Sequence, residues 1–261
     1  MLTRPLGRTG LAVSPIGLGT VKLGRTAGLK YAAPARLPTD DEALALLRRA
    51  HQLGVNLIDT APAYGVSEQR LGELLPQVAP REHWVICTKV GEVFDPATAA
   101  STYDFSPAHI RASVESSLRA LRVQHLDMVL LHFRSSDDLD VRTLAHHQAS
   151  HTLRDLQRAG LVRAIGASTG TTEGARLACA QCDVVMLTLS ADAGGTLTGD
   201  TPSLEEARRA GAGVLIKKPL GSGRAADPCA TVRALLRAPG VHSAVVGTTN
   251  PAHLAQLCDS I

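Results

Sequence analysis

Eight short apolar runs alternate with longer amphipathic stretches from residue 16 to the end of the 261-residue chain, and this alternation constrains the fold most tightly. The runs lie at 16–19, 57–59, 85–89, 128–132, 164–168, 184–189, 214–217 and 244–247. Between the first two, "DDEALALLRRAHQL" at 40–53 places Ala43, Leu44, Leu47 and Ala50 at helical spacing. At 106–122 Ser106 is a capping residue and Pro107 occupies the first helical position. Further helices are expected at 67–75, 141–159, 171–178, 203–210, 226–237 and 251–258. Strand followed by helix, repeated eight times, predicts an α/β fold closed as a (β/α)8 TIM barrel. The preceding "MLTRPLGRTGLAVS" falls outside the repeat, and its "GRTG" between apolar residues predicts a β-hairpin capping the bottom of the barrel. No linker or low-complexity tract interrupts the pattern, so residues 1–261 are expected to form one domain. The longest irregular segment, 26–40, joins the first strand to its helix and is expected to border the substrate pocket.

Several function classes are disfavoured by bulk properties. The net charge is only +3, and the 27 lysines and arginines are scattered, unlike a nucleic-acid stripe or a polybasic membrane patch. No apolar run approaches the ~20 residues of a membrane span, and the N-terminus lacks a signal-peptide type of apolar segment. Five cysteines, an odd number, fit reduced thiols in the cytoplasm. No heptad or self-complementary stripe is present, so a monomer is expected.

In such a barrel the chemistry belongs to the C-terminal ends of the strands. "NLIDTAPAYG" ends the second strand on Asp59 and carries Tyr64 in the following loop. "WVICTKV" ends the third on Lys89, and "DMVLLHF" ends the fourth on His132. Four ionisable groups therefore converge on one rim. An ammonium held by a carboxylate stays charged, and it lowers the pKa of a neighbouring phenol. Lys89 is thus expected to bring Tyr64 down toward useful proton transfer, with His132 holding a substrate oxygen. The loops after the seventh and eighth strands, "PLGSG" at 219–223 and "GTTNPAH" at 247–253, combine glycines with a helix start, as phosphate binding requires.

With "DTAPAYG", "TK" and "LH" at their strand ends, the chain resembles the aldo-keto reductases, over essentially its whole length from "RPLGRTGLAVSPIGLGT" to "VVGTTNPAHLAQL". The resemblance implies carbonyl reduction, or alcohol or aldose oxidation in reverse, with NADP(H) bound without a Rossmann domain. It implies Tyr64 as general acid, Asp59 and Lys89 as its tuning pair and His132 as the orienting group. It places the cofactor along Gly19, Thr20, Ser168, Thr169, Lys217, Pro219, Leu220, Gly221, Ser222, Gly223, Gly247, Thr248, Thr249 and His253. Several of these depart from the family pattern. Thr169 stands for an asparagine, Met186 for a glutamine and Lys217 for a stacking tyrosine, while Gly247 and His253 stand where basic residues grip a 2′-phosphate. NAD use is therefore also expected. The chain stops soon after its last helix, where relatives often carry a tail over the pocket, so an open bowl is expected at Tyr64. Two rival readings remain: a nicotinamide-binding barrel with a sensor or subunit role, and a lyase-like activity using the same groups for proton transfer without redox.

Other motifs carry less. "GLGTVKLG" at 17–24 approaches a dinucleotide fingerprint, but Lys22 fills the third-glycine place. The CxxC of Cys179 and Cys182 has no second pair and is read as structural, with free, partly buried thiols. His147 and His151, four apart, have metal-compatible spacing without a third ligand, so no metal is expected. "RSSDDLD" at 134–140 is read as a solvated acidic loop, and Trp84 as packing at the barrel's far end.

Overall fold

Along the strand Leu126–His132, Met128 and Leu130 face one apolar cluster while Val129 and Leu131 face another. This two-residue alternation is what a strand buried on both faces produces. The computed structural model describes residues 1–29, 36–134, 138–192 and 194–261. Its strands are β1 (Arg4–Pro5), β2 (Ala12–Val13), β3 (Ile16–Gly19), β4 (Leu57–Asp59), β5 (Val85–Val90), β6 (Glu92–Asp95), β7 (Ala100–Tyr103), β8 (Leu126–His132), β9 (Val162–Ser168), β10 (Val184–Ala191), β11 (Leu197–Gly199), β12 (Gly213–Lys217) and β13 (Ser243–Val246). Eight of them pair in parallel in the order β10-β12-β13-β3-β4-β5-β8-β9, and β9 pairs with β10 to close the ring. This is the expected (β/α)8 barrel, and all eight expected strands are present within a few residues of their ends.

Two apolar layers hold it together. The inner one joins Leu57, Cys87, Met128, Leu130, Val184, Met186, Leu215 and Val245 from the strands. Glycines supply the room: a Cβ on Gly166 would run into Leu130 and Val184, and one on Gly213 into Leu6. The β1–β2 hairpin closes the bottom, inserting Leu6, Leu11 and Val13 into that inner layer. The outer layer packs Ile16, Ile58, Ile86, Val129 and Ile165 against the helices. The helix Asp40–Gln52 shows how the sequence sets such an element. Thr39 and Glu42 form a reciprocal capping box, and Ala43, Leu46, Leu47 and Ala50 are its buried face. Each large side chain so buried stabilises by about 1.5–3 kcal/mol.

Four features differ from expectation. The single helix expected at 141–159 is two, Leu139–Ala145 and Gln148–Arg158, because His147 adopts a left-handed φ of 57° and its N–H turns back to the Leu144 carbonyl. The segment after β5 forms an antiparallel hairpin, β6–β7, which the irregular "EVFDPATAASTY" does not announce. Asp140 is fully buried and not solvated: it accepts from the Gly170 and Thr171 amides at 2.8 and 2.9 Å and from the Thr171 hydroxyl. These bonds tie the loop after β9 to the helix that follows β8. Residues 30–35 of the expected pocket-bordering segment and 135–137 of the acidic loop lie outside the described residues. Cys179 and Cys182 are buried free thiols, more enclosed than expected. Trp84 is buried just before β5, at the end opposite the strand-end charges, edge-on to His83. Among the described residues no helix is long and apolar enough to cross a membrane.

Candidate active site

The alternation that builds the inner layer also builds the site. Leu57, Cys87, Met128 with Leu130, and Leu215 point inward, so two residues further on Asp59, Lys89, His132 and Lys217 point inward too. At these positions apolar residues give way to ionisable ones, at the carboxyl end of the barrel. Tyr64 joins them from the short 3-10 turn Pro62–Tyr64, which Pro62 opens. Together they line a cavity of about 480 Å³, a size suited to a small ligand.

Lys89 is the hub. Its Nζ donates to Asp59 Oδ1 at 2.6 Å and to the Thr60 carbonyl at 2.8 Å, and lies 4.8 Å from the centre of the Tyr64 ring. Burial works against this ammonium, yet the Asp59 carboxylate beside it outweighs that cost, and Lys89 is held above the ordinary lysine value. For Tyr64 the expectation needs correction. Burial is the largest influence and raises its pKa well above the ordinary tyrosine value; Lys89 opposes this only in part, and Asp59 adds to the rise. Tyr64 is therefore a protonated phenol throughout the neutral range, a donor of its proton and not a ready phenolate.

His132 stands edge-on to Tyr64, with ring centres 6.0 Å apart. Its buried Nδ1 lies 2.8 Å from Glu92 Oε2, an ion-pair contact without the geometry of a hydrogen bond. Burial lowers the His132 pKa, and the Glu92 contact resists that shift. Glu92 opens the β6–β7 hairpin. Burial acts to raise its pKa, but His132, the Ser101 hydroxyl at 2.6 Å and Arg25 at 3.5 Å together hold it down at about 2. Arg25 in turn stacks 3.3 Å over Phe94 and donates to the Ala63 carbonyl. The hairpin is thus bolted to the loop that carries Tyr64.

On the other side Lys217 Nζ donates to Ser168 Oγ at 2.9 Å and to the Thr169 carbonyl at 2.7 Å. Burial, then the charges of Lys218 and Lys89, bring its pKa down to about 7.

Of the positions expected around a cofactor, Gly19, Thr20, Ser168, Lys217, Pro219, Leu220, Ser222, Gly223 and Gly247 line this same cavity. Gly221 lines a smaller neighbouring recess with Asp192 and Arg224. Thr169 lies buried behind the wall, and Thr248, Thr249 and His253 are not part of the lining. The sequence reading passed over Lys22, Arg25, Glu92, Tyr103 and Arg134, all of which border the cavity. A charged residue directly after "TKVG" was the one signal for Glu92.

The profile of the Aldo/keto reductase family matches residues 15–225. The chain belongs to the aldo/keto reductase family. A solved structure of a putative aldo-keto reductase from Pseudomonas aeruginosa is 45% identical, with a TM-score of 0.86 over 99% of this chain and 94% of that one. L-galactose dehydrogenase of Arabidopsis thaliana is 34% identical over 62% of this chain and 47% of its own. NADH-specific methylglyoxal reductase of Escherichia coli is 34% identical over 63% of this chain and 51% of its own. The match spans about half the length of these two curated relatives. The aldo/keto reductase fold thus brings Asp59, Tyr64, Lys89 and His132 to one cavity. Among the described residues no cluster of three metal-ligating side chains occurs, and His147 and His151 simply stack, ring centres 5.9 Å apart.

Proposed function

We propose that this aldo/keto reductase, acting as one barrel domain over residues 1–261, interconverts a small aldehyde or ketone with its alcohol, on substrates of sugar or short-chain aldehyde type, using a nicotinamide dinucleotide. The observation that carries the reading is the protonated Tyr64 phenol beside the Asp59-bound ammonium of Lys89, on the same cavity wall as His132. A phenol that keeps its proton can give it to a carbonyl oxygen as negative charge develops there, and the fixed Lys89 charge stabilises the phenolate left behind. The relatives named above, a sugar dehydrogenase and an aldehyde reductase, point to the same substrate classes.

The residues present fit such a cofactor. Gly221, Ser222 and Gly223 follow one another with φ of 55°, 62° and 89°, a curled backbone suited to gathering amide groups around a phosphate. A Cβ on Gly223 would meet nothing within 4 Å, so glycine serves the backbone angle there and not the space. Ser168 and Lys217 offer polar atoms at the end nearest the tetrad, where Met186 offers none. When bound, the dinucleotide supplies or receives a hydride at the carbon bearing the reacting oxygen. Positions 247–253 hold no lysine or arginine, which supports use of NADH alongside NADPH. The reading also takes the protein as a cytoplasmic monomer.

The test is reduced-nicotinamide absorbance with a panel of aldehydes, ketones and aldoses. Turnover by the native protein, reduced about 10²–10⁴-fold in a folded Tyr64→Phe variant, is expected. Tight nicotinamide binding without turnover of any member would favour a sensor role and sink the reading.

A further inference from the structure

Lys89 and Lys217 both stand at barrel strand ends on the cavity, yet they are held in opposite ways. Lys89 is neutralised by the Asp59 carboxylate at 2.6 Å. Among the described residues Lys217 has no carboxylate at ion-pair distance; its partners there, the Ser168 hydroxyl and the Thr169 carbonyl, are both uncharged. The charged and titratable groups that face it are Lys218, Lys89 and His132, which disfavour the ammonium, with Asp140 and Asp59 opposing them more weakly. A desolvated lysine among cations gives up its proton readily, and burial with these charges brings Lys217 down to about 7. A neutral amine has two N–H bonds and one lone pair. The two acceptors take the two N–H bonds, and both sit at the end of β9, so the lone pair is turned away from that strand end. The side chain is half-buried and borders the cavity of about 480 Å³.

We propose that Lys217 is a carbonyl-capturing amine, whose Nζ condenses reversibly with a small aldehyde in the cavity to form an imine. The nitrogen lone pair attacks the carbonyl carbon, so that a C–N bond forms and the C=O double bond opens. The two amine protons pass to the oxygen, which leaves as water while the C=N bond closes, and nothing is oxidised or reduced. Ser168 Oγ, 2.9 Å from the nitrogen, stands where a hydroxyl can relay these protons. Lys89 is unsuited to the same step. Its nitrogen donates to Asp59 and to the Thr60 carbonyl and stays an ammonium, with no lone pair to offer. The cavity thus meets a carbonyl group in two ways, by proton donation from Tyr64 and by addition at Lys217. The reactivity of the amine follows from its surroundings, whereas the choice of an aldehyde as ligand rests on the proposed oxidoreductase reading.

Reductive trapping tests this, and the chain suits it because it has only five lysines, Lys22, Lys30, Lys89, Lys217 and Lys218. The full-length protein, without added dinucleotide, is incubated with propanal and sodium cyanoborohydride, which reduces an imine to a stable propyl-lysine. Mass spectrometry then locates the propyl groups, with fragmentation separating Lys217 from Lys218. At pH 7 Lys217 should carry about tenfold more label than its exposed neighbour Lys218, since an ordinary lysine with a pKa of about 10.4 is almost wholly protonated there. Trapping at Lys217 should rise from pH 6 to pH 8 and then level off, whereas an ordinary lysine goes on rising toward pH 10. Lys217→Arg keeps a cation but forms no imine, so the label at this position should vanish while the remaining lysines label as before. Circular dichroism checks that the variant folds, and the native pattern is decisive if it does not. Equal labelling of Lys217 and Lys218 at pH 7, or a rise at Lys217 that continues to pH 10, overturns the proposal. Selective trapping in a protein that turns over no aldehyde would count against the oxidoreductase reading alone.

Discussion

Lys217 Nζ and Ser168 Oγ lie 2.9 Å apart, joining the ends of two barrel strands that are not neighbours in the sheet. Between β9 and β12 runs β10, whose inward residue at this level, Met186, is apolar. The ammonium spans the gap over it. Burial and two nearby lysines depress its pKa to about 7, against 10.5 for an ordinary lysine. Between these values the unfolded chain holds more protons than the folded one, so this group makes stability rise with pH across that window. Urea unfolding at intervals from pH 6.5 to 9.5 should show this rise in native protein and a flatter profile in Lys217→Met. Equal slopes would show that the side chain titrates normally.

Tyr64 should remain un-ionised at pH values where an exposed tyrosine is half phenolate, since burial outweighs the attraction of Lys89. The chain has three tyrosines. The phenolate absorbance gained between pH 9 and 11 should therefore be nearly the same in native protein and Tyr64→Phe. A loss of about one third of the signal in the variant would mean that Lys89 wins.

Removing Asp59 leaves a buried ammonium without its carboxylate, still donating to the Thr60 carbonyl. Asp59→Ala should cost about 3–5 kcal/mol. Adding Lys89→Met to it should recover much of that loss, because the orphaned charge goes too. Denaturant midpoints of the native protein, the single variant and the double variant check this; a double variant less stable than Asp59→Ala would refute the argument.

Arg25 ties the β6–β7 hairpin to the Tyr64 loop through Glu92, Phe94 and the carbonyls of Ala27 and Ala63. Arg25→Ala should lower stability by about 2 kcal/mol. It should also speed amide exchange through 92–103 more than through β8. Uniform acceleration over the whole barrel would argue that Arg25 has no special hold on the hairpin.

The strand-end positions Asp59, Lys89 and His132 could be read from the chain because each follows an apolar run whose two-residue period fixes which side faces inward. Tyr64 could be placed because a short loop keeps it near Asp59. Glu92 could not be assigned to His132 in the same way. Its position depends on an antiparallel hairpin whose residues carry no regular alternation, and on Arg25, contributed by a loop sixty-odd residues earlier. The break at His147 was hidden for a related reason: an amphipathic period runs on through 141–159, and one left-handed residue interrupts it without changing the pattern.

By itself the sequence determined the barrel, the rim on which its ionisable groups gather and the order in which they arrive, since those follow from local periodicity and from strands alternating with helices. Tertiary structure alone decided the balance of charge at that rim: that Tyr64 rises in pKa and does not fall, that Lys217 bridges to Ser168, and that a carboxylate meets His132. Desolvation and Coulombic attraction depend on every neighbour at once, and neighbours brought together from distant parts of a chain leave no period to read.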